Sequence, residues 1–214
     1  MIVVIQCSGS KQPDAGHLRT PEGTPVMFVA RPEVAPARAG LLYARPDDVA
    51  GGGKTWRDVL LEYNSHPQDN PCRLLPAFRL YEERAYAGLV EAFGPDHVYI
   101  LSAGWGLIAA SFLTPDYDIT FSQSAEPFQR RRKRDRYRDF RMPSARGDEP
   151  IVFLGGKDYV PPFCALTSEA RGRRTVFFNS TNPPDAPGCA LERYETRTRT
   201  NWHYECAEAV IRGA

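Results

Sequence analysis

Four short apolar runs, at 2–6, 97–102, 151–154 and 175–179, are rich in Val, Ile, Phe and Tyr and do not alternate with polar residues. Strands buried on both faces read this way, whereas a strand with one wet face alternates. The runs therefore predict a mainly parallel, four-stranded central sheet covered by helices, a three-layer α/β/α arrangement. Each run ends in small or polar residues: Cys7-Ser8-Gly9-Ser10-Lys11, Ser102-Ala103-Gly104-Trp105-Gly106, Gly155-Gly156-Lys157-Asp158 and Asn179-Ser180-Thr181-Asn182. Ligands of open α/β sheets sit beyond the carboxyl ends of the strands. Four such loops on one edge are expected to form one site.

The covering helices are expected at 76–93, 56–63 and 203–211. Pro76 suits a first turn, Gly94-Pro95 is a stop signal, and Phe78, Tyr81, Ala85, Leu89 and Phe93 share one face. Thr55 is the expected cap of the second helix. A further helical segment, 125–141, carries a run of basic residues. Residues 12–54, with many Pro and Gly, read as an irregular insertion holding a short strand at 26–30. The 214 residues suffice for one sizeable core, and a single domain over 1–214 is expected.

Composition narrows the partners. The net charge is only +1, and no stretch approaches the roughly 20 apolar residues of a membrane span. The apolar N-terminus lacks a basic leader and reads as a buried strand. Cys7, Cys72, Cys164, Cys189 and Cys206 form no CxxC or CxxH pair, so no structural metal is expected, and their odd, scattered count fits a reducing cytoplasm. No cofactor or membrane partner is implied, and the oligomeric state stays open. Gly52-Gly53-Lys54-Thr55 hints at a phosphate-binding P-loop, but Asp48 stands where that pattern needs its first glycine.

The loops offer chemistry with a plainer structural counterpart each. Successive N–H groups at Ser8, Gly9 and Ser10, with the Lys11 charge, can cradle an anion; the same residues also make a tight strand exit above a buried Cys7. Trp105, between glycines, can stack a nucleobase or fill the core. Asp116 and Asp118 flank Tyr117, and in an extended segment the two carboxylates share one face. A carboxylate there can activate water or stabilise a cationic sugar carbon, or simply bond backbone amides. Asn179 can read a base or sugar, or cap a turn. The Asn201-Trp202-His203-Tyr204 cluster lines the same cleft or anchors the last helix. The 130–141 run holds eight bases and two acids, a local +6 in a chain of net +1. Arg130, Arg131, Arg132, Lys133, Arg134 and Arg138 are its candidates for contacts to a phosphate backbone, against the alternative of a solvated charged face.

Taken in order, Val-Ile-Gln-Cys-Ser-Gly-Ser-Lys at 4–11, Ile-Leu-Ser-Ala-Gly-Trp-Gly-Leu at 100–107, Tyr-Asp-Ile-Thr at 117–120 and Val-Phe-Leu-Gly-Gly-Lys-Asp-Tyr at 152–159 resemble bacterial and phage domains related to the peroxide-stress protein YaaA. They are also similar to the catalytic region of archaeosine synthase. Cys7, Ser8 and Lys11 match the Pro-Cys-Ser-x-x-Lys motif of that enzyme, with Gln6 in place of the proline. Gly104-Trp105 replaces a usual Lys-His, and Asp116 replaces a usual proline. The resemblance covers most of the chain outside 12–70 and the C-terminal tail. It implies a uracil-DNA-glycosylase-like fold and action on nucleobases in DNA or tRNA, with relatives that remove modified bases in anti-phage defence.

Together these observations lead to the expectation of a base-processing enzyme, a DNA glycosylase for a modified base, with DNA as partner and RNA left open. Asp118 is the expected catalytic carboxylate, with Asp116 in reserve. Cys7, Ser8, Gly9, Ser10, Ser102, Trp105, Tyr117, Gly155, Gly156 and Asn179 are the expected substrate contacts. Three alternatives stand beside it: a tRNA base-modifying transferase or lyase with Lys11 as nucleophile, a non-catalytic DNA-binding stress protein, and a hydrolase of free nucleosides or nucleotides.

Overall fold

The computed structural model describes residues 1–132, 134–143, 147–196 and 200–213. Lys133 lies outside the described residues. The chain runs through β1 (Ile2–Gln6), β2 (Val26–Val29), β3 (Leu42–Ala44), β4 (Val49–Gly51), β5 (Lys54–Thr55), α1 (Trp56–Ser65), β6 (Leu75–Pro76), α2 (Ala77–Leu80) and α3 (Arg84–Phe93). It continues through β7 (Val98–Ser102), β8 (Gly106–Ala109), β9 (Leu113–Thr114), β10 (Tyr117–Asp118), β11 (Ile151–Leu154), α4 (Val160–Leu166), β12 (Arg174–Phe178), β13 (Ala190–Arg193) and α5 (Trp202–Ile211).

The main sheet has six strands in the order β13-β12-β11-β1-β7-β8. The first five are parallel, and β8 returns antiparallel to β7. The fold is thus α/β with a mixed, mostly parallel sheet. Its four inner strands are the four apolar runs of the sequence, paired as Ile2 with Ile151, Val3 with Val98 and Ile151 with Arg174. Ile2, Val3, Val4 and Ile5 are all fully buried, as a strand covered on both faces requires. The expected count of four strands is corrected to six. Both added strands are edges: β13 is largely exposed, and β8 opens at Gly106, whose φ of +88° favours glycine.

Around the sheet, α3 and α5 pack on each other, with Gly88 close to Ile211, and they reach β1, β7 and β11. The α4 helix lies against β8. Buried apolar residues from Ile2 to Val210 form one continuous core. The α1 helix starts at Thr55 with a reciprocal cap: the Thr55 hydroxyl accepts from the Asp58 N–H while the Asp58 carboxylate accepts from the Thr55 N–H.

Two expected helices are corrected. The 76–93 helix is broken at Tyr81, which is extended (φ −97°, ψ 143°) and bridges to Lys11. The chain leaving β1 competes for the helix's own groups there: Gln12 N donates to Leu80 O at 2.8 Å. Among its described residues, the 125–141 segment forms turns and isolated bridges, with no helix. Its charges are partly neutralised from within. Arg131 is 7% exposed, meets Asp139 with two bonds of 2.9 and 2.6 Å, donates to Ala103 O at 2.9 Å and lies 3.9 Å from the Tyr137 ring centre. A helix cannot satisfy all three partners, so the segment lies as a strap along the β7–β8 hairpin, with Phe140 bridging Gly106.

The 12–54 insertion is largely irregular, as expected, but it contributes two small sheets. β2 lies parallel between β10 and β3. β4 and β5 form a hairpin turned by Gly52 and Gly53 at φ +56° and +78°, which gives those glycines a turn role in place of a phosphate loop.

Candidate functional site

Because five strands of the main sheet run parallel, Gln6, Ser102, Leu154 and Phe178 end on one edge. The first residue past β1, Cys7, is buried, and its Sγ lies 3.3 Å from the Tyr159 hydroxyl. Around it stands a group of phenols. Tyr117 and Tyr81 share a hydroxyl–hydroxyl bond of 2.8 Å, and the side chains of Cys7 and Ser102 lie beside Tyr117. Thr120 lies beside Tyr159, whose hydroxyl meets Cys7. Tyr204 reaches Ser8 and Tyr86, and Tyr86 donates to Gln6 O at 2.9 Å. Burial, reinforced by Cys7 nearby, pushes Tyr81, Tyr117 and Tyr159 well above the ordinary phenol range. These are neutral hydroxyls that relay hydrogen bonds.

Lys11 sits at the rim of this group, its Nζ 4.4 Å from the Tyr117 ring centre. Asp116 lies close enough to feel Lys11 and His17; burial raises its carboxyl above the usual range, and these two neighbours offset part of that rise. Ser8, Gly9 and Ser10 form the expected tight exit, with Ser10 N donating to Ser8 Oγ at 3.2 Å, and Gly9 and Ser10 are exposed.

Asp118 has a different outlook. Tyr117 turns into the core, so the next residue of β10 turns away from it. Its carboxylate accepts from Gln129 Nε2 at 2.6 Å and faces a cavity of about 380 Å³ whose walls include Met27, Tyr43 and Phe128, with Arg38 beside them. Insertion strands β2 and β3 supply two of those walls. Asp118 lines this cavity while Asp116 meets Lys11 and His17, and the two carboxylates stay near enough for the Asp118 charge to add to the rise at Asp116.

Gly155, Gly156 and Asn179 line a third place, a slot of about 300 Å³ together with Phe178, Ser180 and Trp202. A Cβ on Gly155 would lie 2.4 Å from the Phe153 ring, so packing alone requires glycine there. Gly156 N donates to Gln6 Oε1 at 2.7 Å, which turns the Gln6 amide nitrogen toward His203 Nε2 at 3.2 Å. His203 must accept on Nε2, so it is neutral and carries its proton on Nδ1. Burial lowers its pKa to about 4.

Several expected contacts are corrected. Trp105 is fully buried, edge-on to Phe28 at 4.9 Å and 5.5 Å from the Arg57 guanidinium, so neither face is open to a base. Ser102 is 1% exposed and accepts from the N–H groups of Gly104 and Trp105, which makes it the cap of the β7–β8 turn. Arg131 is spent on Asp139. Arg130 donates to Gln123 O and Arg132 pairs with Asp135, while Arg134 and Arg138 remain exposed. Arg138 also leans on Asp58 at 3.5 Å.

The site as built includes groups that the sequence reading passed over. Tyr81 was hidden by its place on an apparent helix face. Tyr159 follows the Gly-Gly-Lys-Asp motif directly, a visible signal. Gln129, Tyr43 and Phe128 carry no pattern of their own and become meaningful only when the insertion folds against β10. Among the described residues, no group of three or more His, Cys, Asp or Glu is arranged to hold a metal ion, and no helix is long and apolar enough to cross a membrane.

The chain matches no family model, no curated protein and no solved structure. Any function is therefore argued from the geometry of these three places.

Proposed function

We propose that this chain is a nucleic-acid base-processing enzyme, a DNA glycosylase acting on a modified base, built on a uracil-DNA-glycosylase-like three-layer fold. The observation that carries this reading is the Asp118 cavity: a carboxylate aimed by an amide into an aromatic-walled space of about 380 Å³. That size falls within the range of about 300–1,000 Å³ for small-ligand sites. A base flipped from its stack needs flat apolar walls, which Tyr43 and Phe128 supply in place of Trp105. Arg38 at the cavity, and Arg134 and Arg138 on the strap, suit backbone phosphates.

In such a reaction the bond between C1′ and the base nitrogen breaks, and the base leaves with the electron pair and gains a proton. Positive charge grows on the sugar, and water adds at C1′. Asp118 stabilises that cation or takes the proton of the water. Gln129 holds its oxygen in place without neutralising it. At the strand ends, Ser8, Gly9, Ser10 and Lys11 offer donors and a charge for a neighbouring phosphate. Lys11 stands 4.4 Å from the Tyr117 ring centre and beside Asp116, and it is assigned to phosphate contact in preference to the amine nucleophile of a tRNA-modifying transferase.

The test is base release. The purified protein is incubated with unmodified DNA, hypermodified phage DNA and bulk tRNA, and freed bases are identified by mass spectrometry. Release from one polymer, falling by about 100-fold or more in Asp118→Asn, is expected from the loss of a positioned acid–base group. Salt-sensitive binding with no release from any polymer overturns the enzyme reading. Release that persists in Asp118→Asn but disappears in Lys11→Arg restores the Lys11 mechanism.

A further inference from the structure

Away from these places, Cys164 Sγ lies 3.7 Å from Cys189 Sγ. Cys164 stands in α4 and is buried; Cys189 stands in the turn before β13 and is half-buried. The two segments are clamped by a third residue. Arg174, the first residue of β12, donates through Nη1 to Cys164 O at 3.1 Å and through Nη2 to Gly188 O at 3.2 Å. Gly188 has φ +71°, and a Cβ on it would lie 2.6 Å from Arg174 Nη2, so the turn presenting Cys189 is fitted to the clamp. A cavity of about 760 Å³ opens beside Cys164, walled by Pro184, Asp185 and Pro187 of the same turn-bearing segment. Pro184 also walls the strand-end slot that holds Asn179.

We propose that Cys164 and Cys189 are a reversible dithiol–disulfide pair that exchanges with small disulfides such as oxidised glutathione and, once closed, pins segment 179–189 to α4. Closure brings the sulfurs from 3.7 Å to about 2.05 Å, a movement within the reach of side-chain rotation. The order of attack follows from the surroundings. Burial, and then the contact with Cys189, pushes the Cys164 thiol up to about 12, so the more accessible Cys189 attacks first as its thiolate. A bond forms between Cys189 and one glutathione sulfur, the glutathione disulfide breaks, and the other glutathione leaves and takes a proton. Cys164 then gives up its proton, attacks the Cys189 sulfur and expels the second glutathione. Two protein thiols lose two electrons in all, and one glutathione disulfide becomes two glutathione thiols carrying the two protons. This proposal is independent of the base-release reading.

The experiment uses the full chain under native conditions, equilibrated with oxidised and reduced glutathione at several ratios, trapped by alkylation and mapped by peptide mass spectrometry. A linked 164–189 peptide is expected as the main oxidised species, reversed by dithiothreitol. Cys164→Ser is expected to stop at a mixed disulfide on Cys189, and Cys189→Ser to leave Cys164 unmodified. Hydrogen exchange of segment 179–189 is expected to slow at least several-fold in the oxidised protein. Mixed disulfides without the linked peptide, a different pairing, or linkage only in denaturant overturns the pair. Unchanged exchange in the linked protein overturns the pinning.

Discussion

Arg57 donates to Asp47 Oδ1 at 2.6 Å, to Trp105 O at 2.8 Å and to Gly104 O at 3.0 Å, and it is 2% exposed. One α1 side chain thus ties the insertion to the β7–β8 turn. Removing it strands a carboxylate and two buried carbonyls. Arg57→Leu is expected to cost about 3–5 kcal/mol, read from the midpoint of chemical denaturation. Arg57→Lys recovers little of this, since an ammonium cannot reproduce the planar fork. His203 gives a separate handle through pH. Its pKa falls from an ordinary 6.5 to about 4 on folding, so between those values the unfolded chain takes up a proton that the folded chain refuses. Stability contributed by this residue is full above about pH 6.5 and is lost as the pH drops toward 4. Wild type is expected to lose on the order of 2 kcal/mol from this source between pH 8 and pH 5, and His203→Gln to lose correspondingly less over the same range.

The elements divide into those whose information is local and those whose information is not. The inner strands announced themselves because burial on both faces needs an unbroken apolar run, and α1 did so because Thr55 and Asp58 carry their own capping chemistry. Thr55→Ala is expected to destabilise by about 1 kcal/mol, measured by thermal unfolding, through loss of the hydroxyl acceptor for the Asp58 N–H. Other elements depend on distant partners. The break at Tyr81 is invisible on a helical wheel, because it is made by Gln12 and Lys11. The basic strap looked helical because nothing in 130–141 shows that Arg131 will fold back on Asp139. The candidate site is split the same way. The strand-end loops were legible as strand exits, whereas the Asp118 cavity needs β2, β3 and Gln129 to come together from three parts of the chain. Trp105 shows the converse: flanking glycines suggested an exposed ring, and the hairpin they make drives it into the core.

On the scale of the whole molecule, β1 lies inside the sheet, flanked by β7 and β11, and Ile2 finds its partner in Ile151. A chain truncated before Ile151 therefore keeps one edge of its central, buried strand open. Such a fragment is expected to sediment as aggregates and to lack a cooperative unfolding transition, whereas the full chain unfolds in one; a soluble, cooperatively melting fragment would contradict this. The same placement sets a delay during synthesis. At translation rates of about 5–20 residues per second, the Ile2–Gln6 strand waits on the order of 10 s before its β11 neighbour leaves the ribosome. For that interval a ribbon of four apolar residues has at most one partner, and whatever shields it in the cell acts on the nascent chain, before the finished protein exists.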